Sequence, residues 1–233
     1  MLYKTILFDL DGTVTDSAEG IINSVSYALE KMNIQVPERT QLYSFIGPPL
    51  NDSFKQFYQL NDASAKQAVN YYRDYYQEKG MYENKVYQNI PEVLGMLKKA
   101  GCKLYIATSK PEMYAIKILT HFALANYFDG IYGASLDGNR SKKGEIICYA
   151  LEKAKITNRQ ETIMIGDRRH DILGAKENGL ASMGVLYGFG AISELKDAGA
   201  TYIVEKPADI VATIIKRKED ETKVFNSERN LQL

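Results

Sequence analysis

The chain alternates short apolar runs with longer amphipathic ones, and this alternation restricts its fold more than any other feature. Strands are predicted at Thr5–Phe8, Lys103–Ala107, Gly130–Tyr132, Thr162–Ile165, Ser182–Leu186 and Tyr202–Val204. Helical periodicity fills most of the gaps, at Pro91–Ala100, Glu112–Phe122, Gly144–Ala154, Asp171–Asn178, Ala191–Ala198 and Pro207–Ile215. Strand and helix in regular succession predict an α/β fold, a Rossmann-like parallel sheet with helices on both faces and right-handed crossovers.

One interval interrupts the pattern. From Ser17 to Met81 only helical periodicity is found: Ile21, Ile22, Val25, Ala28, Leu29 and Met32 share a face, a second helix begins near Leu50, and a third spans Ala63–Gly80. A segment of this length is too long for a loop. The expected organisation is an α/β core from residues 1–16 and 82–215, an inserted all-α helical domain at 17–81, and a polar, frayed tail at 216–233. Tyr71, Tyr72, Tyr75 and Tyr76 form a stripe on the third helix. It reads as helix-on-helix packing, with a ligand cleft as the alternative.

Four segments carry chemistry. Phe8-Asp9-Leu10-Asp11-Gly12-Thr13 ends the first strand, at the edge where open α/β sheets bind ligands. Ionised carboxylates there serve as metal ligand, base or nucleophile, Gly12 lets backbone approach an anion, and Thr13 offers a hydroxyl. Ile165-Gly166-Asp167 ends another strand, and Asp171 follows at a helix start. Three clustered carboxylates repel unless a cation such as Mg²⁺ relieves them, although Asp171 also suits the helix dipole. Thr108-Ser109-Lys110 ends a third strand with groups able to hold phosphate oxygens. Lys142 and Lys143 precede a helix, where a lysine can neutralise phosphate and nucleophile together. Arg168, Arg169 and His170 separate the last two aspartates, as substrate contacts or as a solvated loop.

In this order the segments resemble the haloacid dehalogenase-like superfamily of phosphatases, in its branch with a small helical cap. Phe45–Leu50 and Gly184–Gly190 look like the phosphoglycolate-phosphatase-like part of that branch. The resemblance spans residues 4–215. It implies a phosphoric monoester hydrolase acting through an aspartyl phosphate, with Asp9 as nucleophile and Asp11 as proton donor and later base. It implies Mg²⁺ on Asp9, the Asp11 backbone carbonyl and Asp167, with Asp171 orienting the metal shell. Thr108 and a lysine, Lys143 by alignment, would hold the phosphoryl group. The chain departs from relatives that carry Lys-Pro at the third motif, since it has Lys142-Lys143-Gly144. The substrate is a small-molecule phosphate ester, phosphoglycolate-like or a nucleoside monophosphate.

Other classes fare less well. A sugar phosphomutase shares Asp9, Asp11 and the cap, and a phospho-acceptor signalling domain shares the sheet and an aspartate but not the helical interval. Gly188-Phe189-Gly190 lacks the third glycine of a dinucleotide fingerprint, and no Gly-rich triphosphate loop ending in Lys-Ser/Thr occurs. With 29 basic and 29 acidic side chains, no basic excess recommends nucleic acid. No apolar run reaches membrane-spanning length and no leader is recognised, so a cytoplasmic protein is expected, monomer or homodimer. Cys102 and Cys148 read as small, reduced core residues.

Overall fold

The computed structural model describes residues 2–215; the tail expectation for residues 216–233 lies outside them. The chain opens with β1 (Thr5–Phe8) and the two-residue β2 (Thr15–Asp16). The helices α1 (Ala18–Lys31), α2 (Leu50–Tyr58) and α3 (Asp62–Tyr75) follow, with a 3₁₀ stretch at Arg39–Phe45 and a π turn at Tyr76–Gly80. Then come β3 (Lys85–Val86), α4 (Ile90–Lys99), β4 (Lys103–Pro111), α5 (Glu112–His121) and β5 (Gly130–Ala134). The chain continues through α6 (Lys143–Lys153), β6 (Thr162–Gly166), α7 (Arg169–Glu177) and β7 (Ala181–Val185). It finishes with α8 (Ile192–Asp197), β8 (Tyr202–Val204) and α9 (Pro207–Ile215).

Six strands form one parallel sheet in the order β5-β4-β1-β6-β7-β8. Ile6, Leu7 and Phe8 are wholly buried because helices cover both faces, which is why β1 is continuously apolar instead of alternating. β1 pairs with β4 on one side and β6 on the other, with Phe8 opposite Ile106 and Ile165. The chain moves outward in opposite directions from this centre, so a crevice opens at the carboxyl ends of β1, β4 and β6. The residues that follow these strands meet there.

The helices between β2 and β3 build on the expected face of α1, where Ile21, Ile22, Val25, Ala28 and Leu29 are buried. Asn61 caps α3 by accepting a hydrogen bond from the Ser64 amide at 2.9 Å. The third helix does not run evenly to Gly80: Met81 N donates to Tyr76 O at 2.9 Å, five residues back, and the last turn widens into a π turn. β2 and β3 pair antiparallel where the chain enters and leaves these helices. At two residues each, they are too short for periodicity to reveal.

β4 continues four residues past the expected Ala107, and an irregularity between Thr108 and Pro111 shifts its register. Of the two cysteines, Cys102 is buried just before β4, whereas Cys148 is partly exposed on α6 with its thiol on Glu152. The core reading therefore holds for Cys102 only. Among the described residues no helix is long and apolar enough to cross a membrane.

Candidate active site

Asp9 leaves the end of β1 with its amide donating to Ile165 O at 2.9 Å, which extends the sheet bonding by one residue and fixes the backbone. Its Oδ1 takes both polar contacts: the Leu10 amide at 2.7 Å and Lys143 Nζ at 2.9 Å. Oδ2 is left without a partner among the described residues.

Lys143 is the first residue of α6, one position earlier than the expected helix start. Its ammonium is buried against Asp9, Asp171 Oδ1 at 2.8 Å and Ala107 O at 3.2 Å. An ammonium has three donors, and three oxygens stand within reach of this one. Burial favours the neutral amine, but Asp171 and Asp9 outweigh it and raise Lys143 above the ordinary lysine range. Lys142, the neighbouring candidate, is exposed.

Asp167 and Asp171 complete a carboxylate cluster with Asp9. One oxygen from each lies within 4.8 Å of the others, and all three residues are buried. Burial, then Asp171 and Asp9, push Asp167 well above the usual carboxylate range. Burial pushes Asp171 up to about 6 although Lys143 acts against it. Asp171 also caps α7, its Oδ2 accepting from the Arg168 amide at 3.0 Å. The helix role and the site role are thus divided between its two oxygens. An all-oxygen set of crowded, buried carboxylates fits a hard divalent cation. The wider count agrees: Asp9, Asp11, Asp167 and Asp171 face two ammoniums, Lys110 and Lys143. One divalent ion would balance the remainder. His170 is exposed and stands outside the cluster.

The loop after β1 supports Asp167. Gly12 has φ +81°, and a Cβ there would come within 2.2 Å of Asp167 Oδ2, so a side chain is excluded by backbone conformation and by contact. Thr13 is fully buried and its hydroxyl faces Asp167 Oδ1 at 3.4 Å. Gly12 and Thr13, expected to contact substrate, both lie against Asp167. On the far side Phe189 N donates to Asp167 Oδ2 at 2.8 Å, and Tyr187 OH donates to Thr13 O at 3.0 Å. The sequence singled out this Gly-Phe-Gly segment without assigning it a role.

Asp11 faces the other way. Its Oδ2 pairs with Lys110 Nζ at 2.8 Å, and its Oδ1 is buried without a hydrogen-bond partner among the described residues. Lys110 also donates to Tyr76 OH at 2.6 Å and lies over the Tyr76 ring. Thr108 is buried, its hydroxyl accepting from the Lys110 amide at 3.3 Å.

Asp9, Asp11, Thr108, Ser109 and Lys110 form the floor of a cavity of about 650 Å³, and residues 45–76 supply much of its wall. Tyr72 and Tyr76 line it while stacking on one another at 5.3 Å, one helical turn apart. The tyrosine stripe therefore packs and lines a cleft at once. The cleft alternative raised from the sequence thus applies to Tyr72 and Tyr76 alongside the packing one. Arg73, for which the sequence offered no signal, donates to Leu136 O at 3.2 Å, and both residues line the cavity.

Comparison with known proteins adds to this geometry. The family model for haloacid dehalogenase-like hydrolases matches residues 6–185. A 5'-nucleotidase of Pseudomonas aeruginosa is 48% identical over 194 residues, 83% of this chain and 87% of that protein. A tyrosine-protein kinase of Mycobacterium tuberculosis is 36% identical over 207 residues, 89% of this chain and 70% of that protein. Among solved structures, a predicted phosphatase from Clostridium acetobutylicum superposes with a TM-score of 0.89 at 51% identity, covering 92% of this chain and 99% of its own.

Proposed function

The chain belongs to the haloacid dehalogenase-like hydrolase family, and on that premise we propose that it is a magnesium-dependent phosphatase of nucleoside monophosphates working through an aspartyl phosphate. The reading rests on one observation above the rest: the cavity over Asp9 and Asp11 measures about 650 Å³ and is walled by Phe45, Tyr72, Tyr76 and Tyr114. A two-carbon acid such as phosphoglycolate would leave most of that space to water. A nucleoside fills it, and aromatic rings suit a base. The 5'-nucleotidase relative at 48% identity supports the same class.

In the proposed division of labour, Asp9 Oδ2 attacks phosphorus in line while Lys143 and the Leu10 amide hold Oδ1. Asp11 protonates the departing ester oxygen, then takes a proton from the water that cleaves the aspartyl phosphate. Its unpartnered Oδ1 supports this, because a buried acceptor lacking a partner is costly until a substrate group supplies one. Thr108, Ser109 and Lys110, which line the cavity, would hold the phosphoryl group. Asp9, Asp167 and Asp171 would hold Mg²⁺, with the Asp11 carbonyl added by family resemblance. The bound ion would neutralise charge on the transferring phosphoryl group. Residues 17–81 act as a cap over this chemistry, joined to the core through the β2–β3 pair.

A phosphate-ester panel assayed with and without Mg²⁺ tests the reading. Nucleoside monophosphates should exceed phosphoglycolate by about tenfold or more in kcat/KM, a difference a fitted pocket can supply. Chelation should stop turnover. Phosphoglycolate as the best substrate would sink the nucleotide assignment.

Lysine variants test the floor. Lys143→Ala leaves Asp9 and Asp171 buried without their counter-charge, a change that costs several kcal/mol where burial is complete. We expect turnover to fall by about a thousandfold or more. Lys142→Ala should stay within about threefold, because its side chain is exposed. Equal small effects would transfer the role to Lys110.

A further inference from the structure

Arg168 stands between two of the clustered aspartates, yet its side chain turns away from them. Its Nη1 donates to Ile46 O at 2.6 Å, 122 residues distant, and its Nε donates to Glu194 Oε1 at 2.9 Å. The same carboxylate oxygen accepts from the Arg169 amide at 2.8 Å, which ties Glu194 of α8 to the start of α7. One rigid, planar guanidinium thus joins the helical segment 18–80 to the strand end that carries Asp167. Lysine offers a single point charge and cannot hold two partners with this geometry.

What Arg168 grips is the start of the pocket wall. Ile46 is buried, and Gly47, Pro48, Pro49 and Leu50, which follow it, line the same cavity as Asp9 and Asp11. Pro48 and Pro49 have no amide hydrogen to donate, so this stretch has few ways to fasten itself. Gly47 adopts φ +107°, and a Cβ there would meet Arg168 Cγ and Nη1 at 3.4 Å. A second contact lies beside the first: the Tyr43 ring packs on Phe189 at 6.3 Å, and Phe189 N is bonded to Asp167.

We propose that Arg168 is a positioning residue for substrate selection: by fastening Ile46 O to Glu194 it holds the 46–50 wall at a fixed distance from Asp9, which favours phosphate esters whose leaving group spans the cavity. The inference rests on the phosphatase reading above, and it names the element that makes the site prefer a nucleoside over a small alcohol. Arg168 touches neither substrate nor reacting atoms in this role. Its effect falls on the relative use of two substrates.

The test compares the full-length wild type with Arg168→Ala, Arg168→Lys and Gly47→Ala. The substrates are uridine 5'-monophosphate, whose nucleoside is expected to reach the wall, and p-nitrophenyl phosphate, which has a smaller leaving group. Arg168→Ala should lower the ratio of kcat/KM for the nucleotide to kcat/KM for the aryl ester by about tenfold or more, mainly through the nucleotide's KM, since small misplacements cost that much. Arg168→Lys should fall between. Gly47→Ala perturbs the same contact from the other side and should lower the ratio without touching the guanidinium. The double variant should be no worse than the poorer single one, as expected of two halves of one contact. Amide hydrogen exchange supplies a readout free of turnover: residues 44–53 should exchange about tenfold faster in Arg168→Ala, with β6 unchanged. An unchanged ratio in variants that fold, or unchanged exchange at 44–53, overturns the inference. If the wild type releases no phosphate from either ester, the phosphatase reading is at fault, and exchange alone still decides whether Arg168 holds the wall.

Discussion

Asp9→Asn is expected to remove phosphoenzyme formation altogether and to lower turnover by about 10⁴-fold or more. Both polar contacts of Asp9 fall on Oδ1, which accepts from Lys143 and from the Leu10 amide. An asparagine can present its carbonyl oxygen to the same two donors, so the fold and the lysine's position should survive. What disappears is the charged second oxygen. An amide nitrogen at the Oδ2 position cannot attack phosphorus as a carboxylate does. The loss should therefore appear in the covalent step and not in stability. Intact-mass measurement after mixing with an aryl phosphate reads the first, and a thermal melt reads the second. A variant that melts like the wild type and never gains a phosphoryl group is the expected pair of results. A variant that still gains one would move the nucleophile elsewhere.

The strands and helices of the sheet domain were legible because their apolar runs serve one purpose, burial on both faces. β1 and β8 fall where the sequence put them, at Thr5–Phe8 and Tyr202–Val204. The carboxylates were legible for a related reason. Asp9 and Asp167 follow strands that turned out to be neighbours, so a linear pattern became a spatial cluster. Contacts whose partners are distant in the chain and whose residue types have ordinary alternative uses were not legible. Nothing local to Arg168 indicates that it bonds a carbonyl at Ile46. Nothing local to Tyr76 indicates that its hydroxyl meets Lys110, because a tyrosine stripe on a helix packs in most proteins. Thr13 shows the converse. A hydroxyl beside two acids suggests a substrate contact, but its complete burial commits it to Asp167. Burial is a property of the assembled layers and cannot be read from a five-residue motif.

Asp11→Asn should leave a different signature from Asp9→Asn, and the difference follows from how the two carboxylates are held. Alternate residues along an extended chain point the same way, yet the structure gives them separate partners: Asp9 shares Lys143 with the aspartate cluster, while Asp11 pairs with Lys110 beneath Tyr76. Asparagine at position 11 keeps an oxygen for Lys110, so that arrangement should stand. It would lose the group proposed to give a proton to the leaving oxygen and later take one from water, a contribution worth about 10²–10⁴-fold. With a nucleoside monophosphate, whose alkoxide leaves poorly, both steps should slow and little phosphoenzyme should build up. With an activated aryl phosphate the leaving group needs no proton. The first step should then proceed, with Asp9 intact, and the second should stall for want of a base. A burst of phenol matching the enzyme concentration, followed by slow turnover, is the kinetic form of this result. A phosphorylated Asp11→Asn protein is its mass-spectrometric form. Phosphate found on Asp9→Asn but never on Asp11→Asn would exchange the roles of the two aspartates.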